Sequence, residues 1–296
     1  MADLFSALLR PLPPRARAMV GELVQEWRDD RVSGLAAEVA FFGLLSLFPT
    51  LLAMTAALGS LESIIGADLA QRAERAVIDF LQRFLTEDAA DTTAAVRELF
   101  TESSTGTLTF GVVFALWAAS RGFTALVNGL DVVYDLEERR GYVRLRLLAL
   151  ALALGTVVVV VGLLAMVIIG PLLGSGQAVA DWLGAGDQFA VLWDWARWPV
   201  IVVVLVLWAV TLFHLAPNHR TPWRADVPGA LVTATLWALL SLGFRAYLAL
   251  APGANQVFGS LGGALIVLLW IYLLALGLLV GGEVNAILLN RQRESA

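Results

Sequence analysis

A chain of 296 residues with 59% hydrophobic and only 15% charged side chains has too few charges to cover a water-facing surface, and its mean hydropathy of +0.77 points to lipid as part of its solvent. The formal net charge of −5 argues against a general electrostatic attraction to nucleic acid. With no cysteine, disulfides, thiolate catalysis and cysteine-type zinc sites are excluded. All 20 basic residues are arginine, which reads as the habit of a GC-rich genome rather than as chemistry.

The first 33 residues hold Arg10, Arg15, Arg17, Arg28 and Arg31 but no apolar stretch long enough for a signal-peptide core, so the first hydrophobic segment is expected to stay in the membrane. A spanning helix needs about 20 mostly apolar residues, because lipid offers no partner to an exposed backbone group. Six stretches qualify, at residues 33–59, 107–126, 147–169, 195–215, 227–250 and 261–283. The expected fold class is therefore all-α, a polytopic membrane bundle of six transmembrane helices in a single membrane domain over residues 1–296.

In the first span, Pro49 follows Ser46 and removes one backbone hydrogen bond, which predicts a kink. The insertion at 60–106 carries Leu69, Ala73, Val77, Phe80 and Phe84 at helical spacing and holds nine acids against four arginines. Short periplasmic amphipathic helices are expected there, either capping the bundle or lying on the membrane surface. Before the fourth span, Trp193, Trp195 and Trp198 suit an interfacial belt and suggest that this helix begins early. His214 and His219 straddle its exit without sharing a helix face, and no acidic pattern beside them completes a metal site. In the sixth span, Gly259, Gly262, Gly263, Gly277 and Gly281 have the small-residue spacing that lets helix backbones approach.

Orientation follows from the arginines. Thirteen lie in the N-terminal tail, after spans two and four, and at the C-terminus; five lie on the opposite side. Arginine-rich short loops stay in the cytoplasm, so both termini are expected inside.

Ionisable groups within spans are expensive and therefore informative. Glu38, Arg121 and Glu283 are expected at one cytoplasmic level, with Asn128, Asp131 and Asn285 close by, while Arg245 lies toward the periplasmic end of span five. The economical arrangement pairs Arg121 with Glu38 or Glu283, either as a lock between helices or as the lining of a polar cavity; snorkelling to the headgroup level is the other way to keep the charge. Nothing in the chain forms a nucleophile triad, a metalloprotease helix or a nucleotide fingerprint, so neither catalysis nor a cofactor is expected.

Several strings occur in a telling order: Glu38-Val-Ala-Phe-Phe-Gly-Leu-Leu-Ser-Leu-Phe-Pro49, Trp117-Ala-Ala-Ser-Arg-Gly-Phe123 with Asn128, Tyr134-Asp135, Ala216-Pro-Asn218, Pro228-Gly-Ala230, Phe258-Gly-Ser-Leu-Gly262 and Gly282-Glu-Val-Asn285. From about Arg28 to Leu289 the chain resembles the YihY/BrkB family (UPF0761) of bacterial inner-membrane proteins. Phe258 departs from a frequent Tyr of that family, and Phe41-Phe42 stands where it often has Tyr. The resemblance implies a multi-pass inner-membrane protein and leans toward transport of lipids or lipid-linked molecules, with a non-transporting scaffold as the alternative. Family members have also carried a ribonuclease label, which the polar residues of this chain do not support. The expected partners are membrane lipids and not nucleic acid, with a homo-oligomer or a protein partner left open.

Overall fold

The computed structural model describes residues 13–46, 105–164, 187–218, 222–250 and 261–294. Among these, every regular element is helical: α1 (Pro14–Asp29), α2 (Val32–Ser46), α3 (Thr105–Val133), α4 (Tyr142–Leu164), α5 (Asp187–Leu215), α6 (Val227–Leu250) and α7 (Leu261–Glu294), with a 3-10 turn at Trp223–Asp226 before α6. Of the insertion expected at 60–106, residues 60–104 lie outside the described residues, as do Pro49 and Gly259, while 105 and 106 open α3.

Local chemistry sets the helix ends. Proline at the first position of α1 has no N–H to leave unpaired, so it suits a helix start. Past Asp30 the chain turns through Arg31 at φ 54°, and α2 begins. The end of α3 is a Schellman turn: the N–H of Asp135 donates to Val132 O (2.9 Å) and that of Leu136 to Asp131 O (2.8 Å), with Asp135 at φ 53°. A short polar side chain tolerates this left-handed position better than most. Helix α5 starts at Asp187 and runs through Pro199. Trp195 and Trp198 stand exposed on it, and the Arg197 guanidinium lies 5.6 Å from the Trp198 ring centre.

Four described helical stretches are long and apolar enough to cross a membrane: Tyr142–Leu163, Trp195–Leu215, Trp223–Tyr247 and Gly263–Glu294; Val32–Ser46 is a shorter apolar helix. Their outward faces carry Val157, Val158, Val160 and Val161, or Val202, Val203 and Leu207, all exposed. Water would penalise such faces, whereas lipid solvates them. The chain is an all-helical polytopic membrane protein.

The chain divides into two compact units. One takes Met1–Val32, Val127–Leu236 and Gly277–Ala296; the other takes Ser33–Leu126 and Trp237–Leu276. In the second unit, a Cβ on Gly122 would lie 3.4 Å from Phe42 Cβ, so α2 and α3 approach closely there. Trp237 Nε1–H donates to Leu274 O at 2.8 Å, which satisfies an indole donor that lipid could not. In the first unit, Gly155 of α4 leaves the space that the Trp208 indole of α5 occupies. The start of α6 presses on α7 still more tightly: a Cβ on Gly229 would collide with the carbonyl of Gly281, and one on Gly281 with the hydroxyl of Thr233. The Gly277–Gly281 spacing on α7 thus faces a Gly229–Thr233 spacing on α6, and Thr233 Oγ1–H reaches Gly277 O at 3.4 Å.

Candidate functional site

The first unit gathers side chains from α1, the end of α3, the segment after α5, the start of α6 and α7 into one buried polar cluster. Asn285, fully buried on α7, is its centre. The first four N–H groups of any helix lack intrahelical partners. At the start of α6, the N–H of Gly229 finds one by donating to Asn285 Oδ1 at 2.6 Å. In return Asn285 Nδ2–H donates to the carbonyl of Asp226 at 3.1 Å, so one amide fixes both polar edges of the junction. Tyr134, just past α3, brings its phenol within reach of the same amide.

The exit of α5 is clamped from two sides. Arg140 donates from its two terminal nitrogens to Ala216 O and Pro217 O, both at 2.8 Å, satisfying carbonyls that the ended helix cannot. Asp131 Oδ1 accepts the N–H of Asn218 at 2.9 Å. Asp226, also fully buried, places Oδ2 3.2 Å from Nδ1 of His214, and facing a carboxylate makes that ring nitrogen the donor. His214 is only part-buried, so this pair joins the last turn of α5 to the start of α6 at the rim of the cluster.

The remaining groups are acids. Burial pushes Asp131 up to about 6, and the neighbouring Glu138 adds to this, while the Asn218 N–H and Arg140 pull the other way. Burial also raises Glu26 of α1, with Asp30, Asp135, Asp29 and Glu22 contributing, and it lifts the Tyr134 phenol well above its ordinary value. Asp30, in the α1–α2 turn, lies within hydrogen-bond reach of Glu283 on α7. At the outer edge, Arg291 of α7 pairs with Glu22 of α1 through NH2 at 2.7 Å and Nε at 3.2 Å.

Of the residues singled out in the sequence, Asp131, Glu283 and Asn285 are buried in this cluster. Glu38, Arg121 and Asn128 are exposed. The ion pair expected of Arg121 is absent among the described residues; its guanidinium instead lies 5.5 Å from the centre of the Phe42 ring, a cation–π contact. Periodicity gives the reason. The buried stripe of α3 runs through Ala115, Ala118, Gly122 and Ala125, and Arg121 falls beside it; on α2, Glu38 is two residues from both Ala36 and Ala40, opposite the buried face. Asp30, Tyr134, Arg140, His214 and Asp226 were not singled out as a site. A signal for part of the cluster did exist: Tyr134-Asp135, Ala216-Pro-Asn218, Pro228-Gly-Ala230 and Gly282-Glu-Val-Asn285 are strings that carry the family resemblance, and all four contribute to this cluster.

A family model described as Virulence factor BrkB matches residues 23–296. A ribonuclease-like protein of Bacillus subtilis (strain 168) is 31% identical over 262 residues, covering 87% of this chain and 90% of the relative. A UPF0761 membrane protein of Vibrio vulnificus (strain YJ016) is 26% identical over 300 residues, 99% of this chain and 90% of the relative. Another, from Photobacterium profundum, is 24% identical over 276 residues, 90% and 79% of the two chains. No solved structure matches. The match to the family model across nearly the whole length, with these relatives, places the chain in the BrkB (UPF0761) family of membrane proteins.

Proposed function

We propose that this chain is a carrier or flippase for a lipid or another amphiphile in the bacterial inner membrane, rather than an enzyme. The observation that carries the reading is the cluster itself: Asp131, Asp226, Glu283 and Asn285 are buried within a protein whose outer faces are apolar. A charged group in a spanning helix costs about 2.5–3.5 kcal/mol on insertion scales, so buried acids that small apolar contacts could replace mark a path for polar matter. Exposed helix faces rich in valine and leucine suit the apolar part of an amphiphile. Arg121, exposed on α3, suits an anionic headgroup. The arginine count supports cytoplasmic termini, and a periplasm-dependent reporter fused after Arg293 should stay silent.

The test is reconstitution into liposomes carrying a fluorescent phospholipid, with quencher added outside. Wild type should expose inner-leaflet label, and Glu283→Gln should slow that exposure at equal protein content. Equal rates in protein-containing and empty vesicles, across neutral, anionic and lipid-linked probes, would overturn the reading. The close contact of Gly229 with Gly281 favours a second reading, a non-transporting scaffold, under which no probe moves. The ribonuclease-like description of the Bacillus relative suits this chain poorly, since binding RNA calls for a basic groove and the cluster is dominated by acids.

A further inference from the structure

The turn between α1 and α2 sets Asp30 against α7, where its carboxyl meets that of Glu283 within hydrogen-bond reach. Glu283 is 1% exposed, and no N–H or O–H of the described residues reaches its Oε1. Two ionised carboxylates are both pure acceptors, so contact between them requires a proton on one. The other charged groups that bear on the pair are acids too: Glu26 and Asp29 of α1, and Asp135 past the end of α3; the Tyr134 phenol also faces Glu283. Arg28 and Arg31, which flank Asp30 in the chain, are both exposed.

The second acid pair in the cluster, Asp131 with Glu138, is built differently. There Arg140 NH1 stands 3.8 Å from Glu138 Oε2, and the backbone N–H of Arg140 donates to Glu138 Oε1 at 2.7 Å, so positive charge is at hand. A metal ion is the poorer occupant at Asp30 and Glu283, because among the described residues no group of three or more His, Cys, Asp or Glu is placed to hold one.

We propose that Asp30 and Glu283 form a proton-binding site that holds one exchangeable proton at neutral pH and, on losing it, loosens the α1–α2 turn from α7. The site deepens the transport reading, on which it rests for its use as a coupling device. Burial lifts Asp30 above the ordinary carboxylate range, with Asp135 and Asp29 adding to it and the hydrogen bond from Glu283 opposing. The sign follows: stability from the shared proton is full below the ordinary carboxylate value of about 4 and is lost as pH rises through the higher folded value.

The experiment is infrared spectroscopy of the purified full chain in detergent at pH 7, reading the protonated-carboxyl C=O band. An ordinary glutamate would be protonated in roughly one molecule in 500 at that pH, whereas the pair should give about one equivalent per chain. Glu283→Gln and Asp30→Asn should each remove the band, and Asp131→Asn should keep it. No band in the wild type, or a band that survives both changes, would overturn the proposal. Should those variants fail to fold, Asp131→Asn and Glu138→Gln, which leave the pair intact, are read instead. A band that stays at about one equivalent in both supports the proposal, and a band lost in either overturns it. A wild type with the band and no lipid flux supports the proton site and refutes the transport reading.

Discussion

Replacing Gly281 by alanine tests whether the α6–α7 crossing is as tight as it looks. The added methyl would lie 2.6 Å from the carbonyl oxygen of Gly229 and 3.1 Å from Phe213 Cζ, besides colliding with the Thr233 hydroxyl, whereas ordinary contact begins at 3.4 Å. Thr233 can rotate and Phe213 can tilt, but a backbone carbonyl yields only if the helices part by about 0.8 Å, the gap between those two distances. Parting them also stretches the Asn285–Gly229 hydrogen bond, now 2.6 Å. Overpacking of this kind costs about 1–3 kcal/mol, and alanine's better helix propensity returns up to about 1 kcal/mol. A net loss of about 1 kcal/mol is expected, roughly 5-fold in the ratio of folded to unfolded protein. The control is Gly21→Ala in α1, where a Cβ meets nothing within 4 Å and the same propensity should stabilise by about 0.5–1 kcal/mol. Unfolding in mixed detergent, followed through the tryptophan fluorescence, reads both. If Gly281→Ala matched or exceeded wild type while Gly21→Ala behaved as stated, the close crossing would be wrong.

Three further outcomes are expected. Asn285→Ala leaves the Gly229 N–H and the Asp226 carbonyl without their partner, a loss of about 1–3 kcal/mol for each group left unsatisfied; the same unfolding assay should show it, and a change below about 0.5 kcal/mol would count against the bridging role. Asp131, raised to about 6, makes stability fall as pH climbs from about 4 through 6, because its neutral form is the favoured one in the fold; melting temperatures across that range should flatten in Asp131→Asn, and an unchanged slope would refute the assignment. Asp135→Gly relieves a left-handed non-glycine residue and removes one acid facing Glu26 and Asp30, so its melting temperature should rise; a fall would mean the side chain makes a contact more valuable than the strain.

The membrane architecture could be read from the sequence because lipid imposes it: a long apolar run has few other uses, and α4 to α7 contain theirs. Glu283 and Asn285 were visible for the same reason, as polar residues ending an apolar helix. The placing of Arg121 was not, since depth along a helix says nothing of direction around it. The small residues Ala115, Ala118, Gly122 and Ala125 did mark the buried side of α3, and weighing them would have set Arg121 off it. The His214–Asp226 contact was beyond reach, because it depends on how the segment between α5 and α6 folds back, and sequence spacing does not encode that path.

The pairing of Glu22 with Arg291 joins residues 269 positions apart. Ribosomes add about 5–20 residues per second, so α1 waits roughly 15–50 seconds after its own synthesis before the end of α7 exists to receive it. Throughout that interval Glu22 has no Arg291 to pair with. The contact between α1 and the last turns of α7 is therefore among the latest that the growing chain can make, and being exposed it trims the assembled fold rather than guiding its assembly.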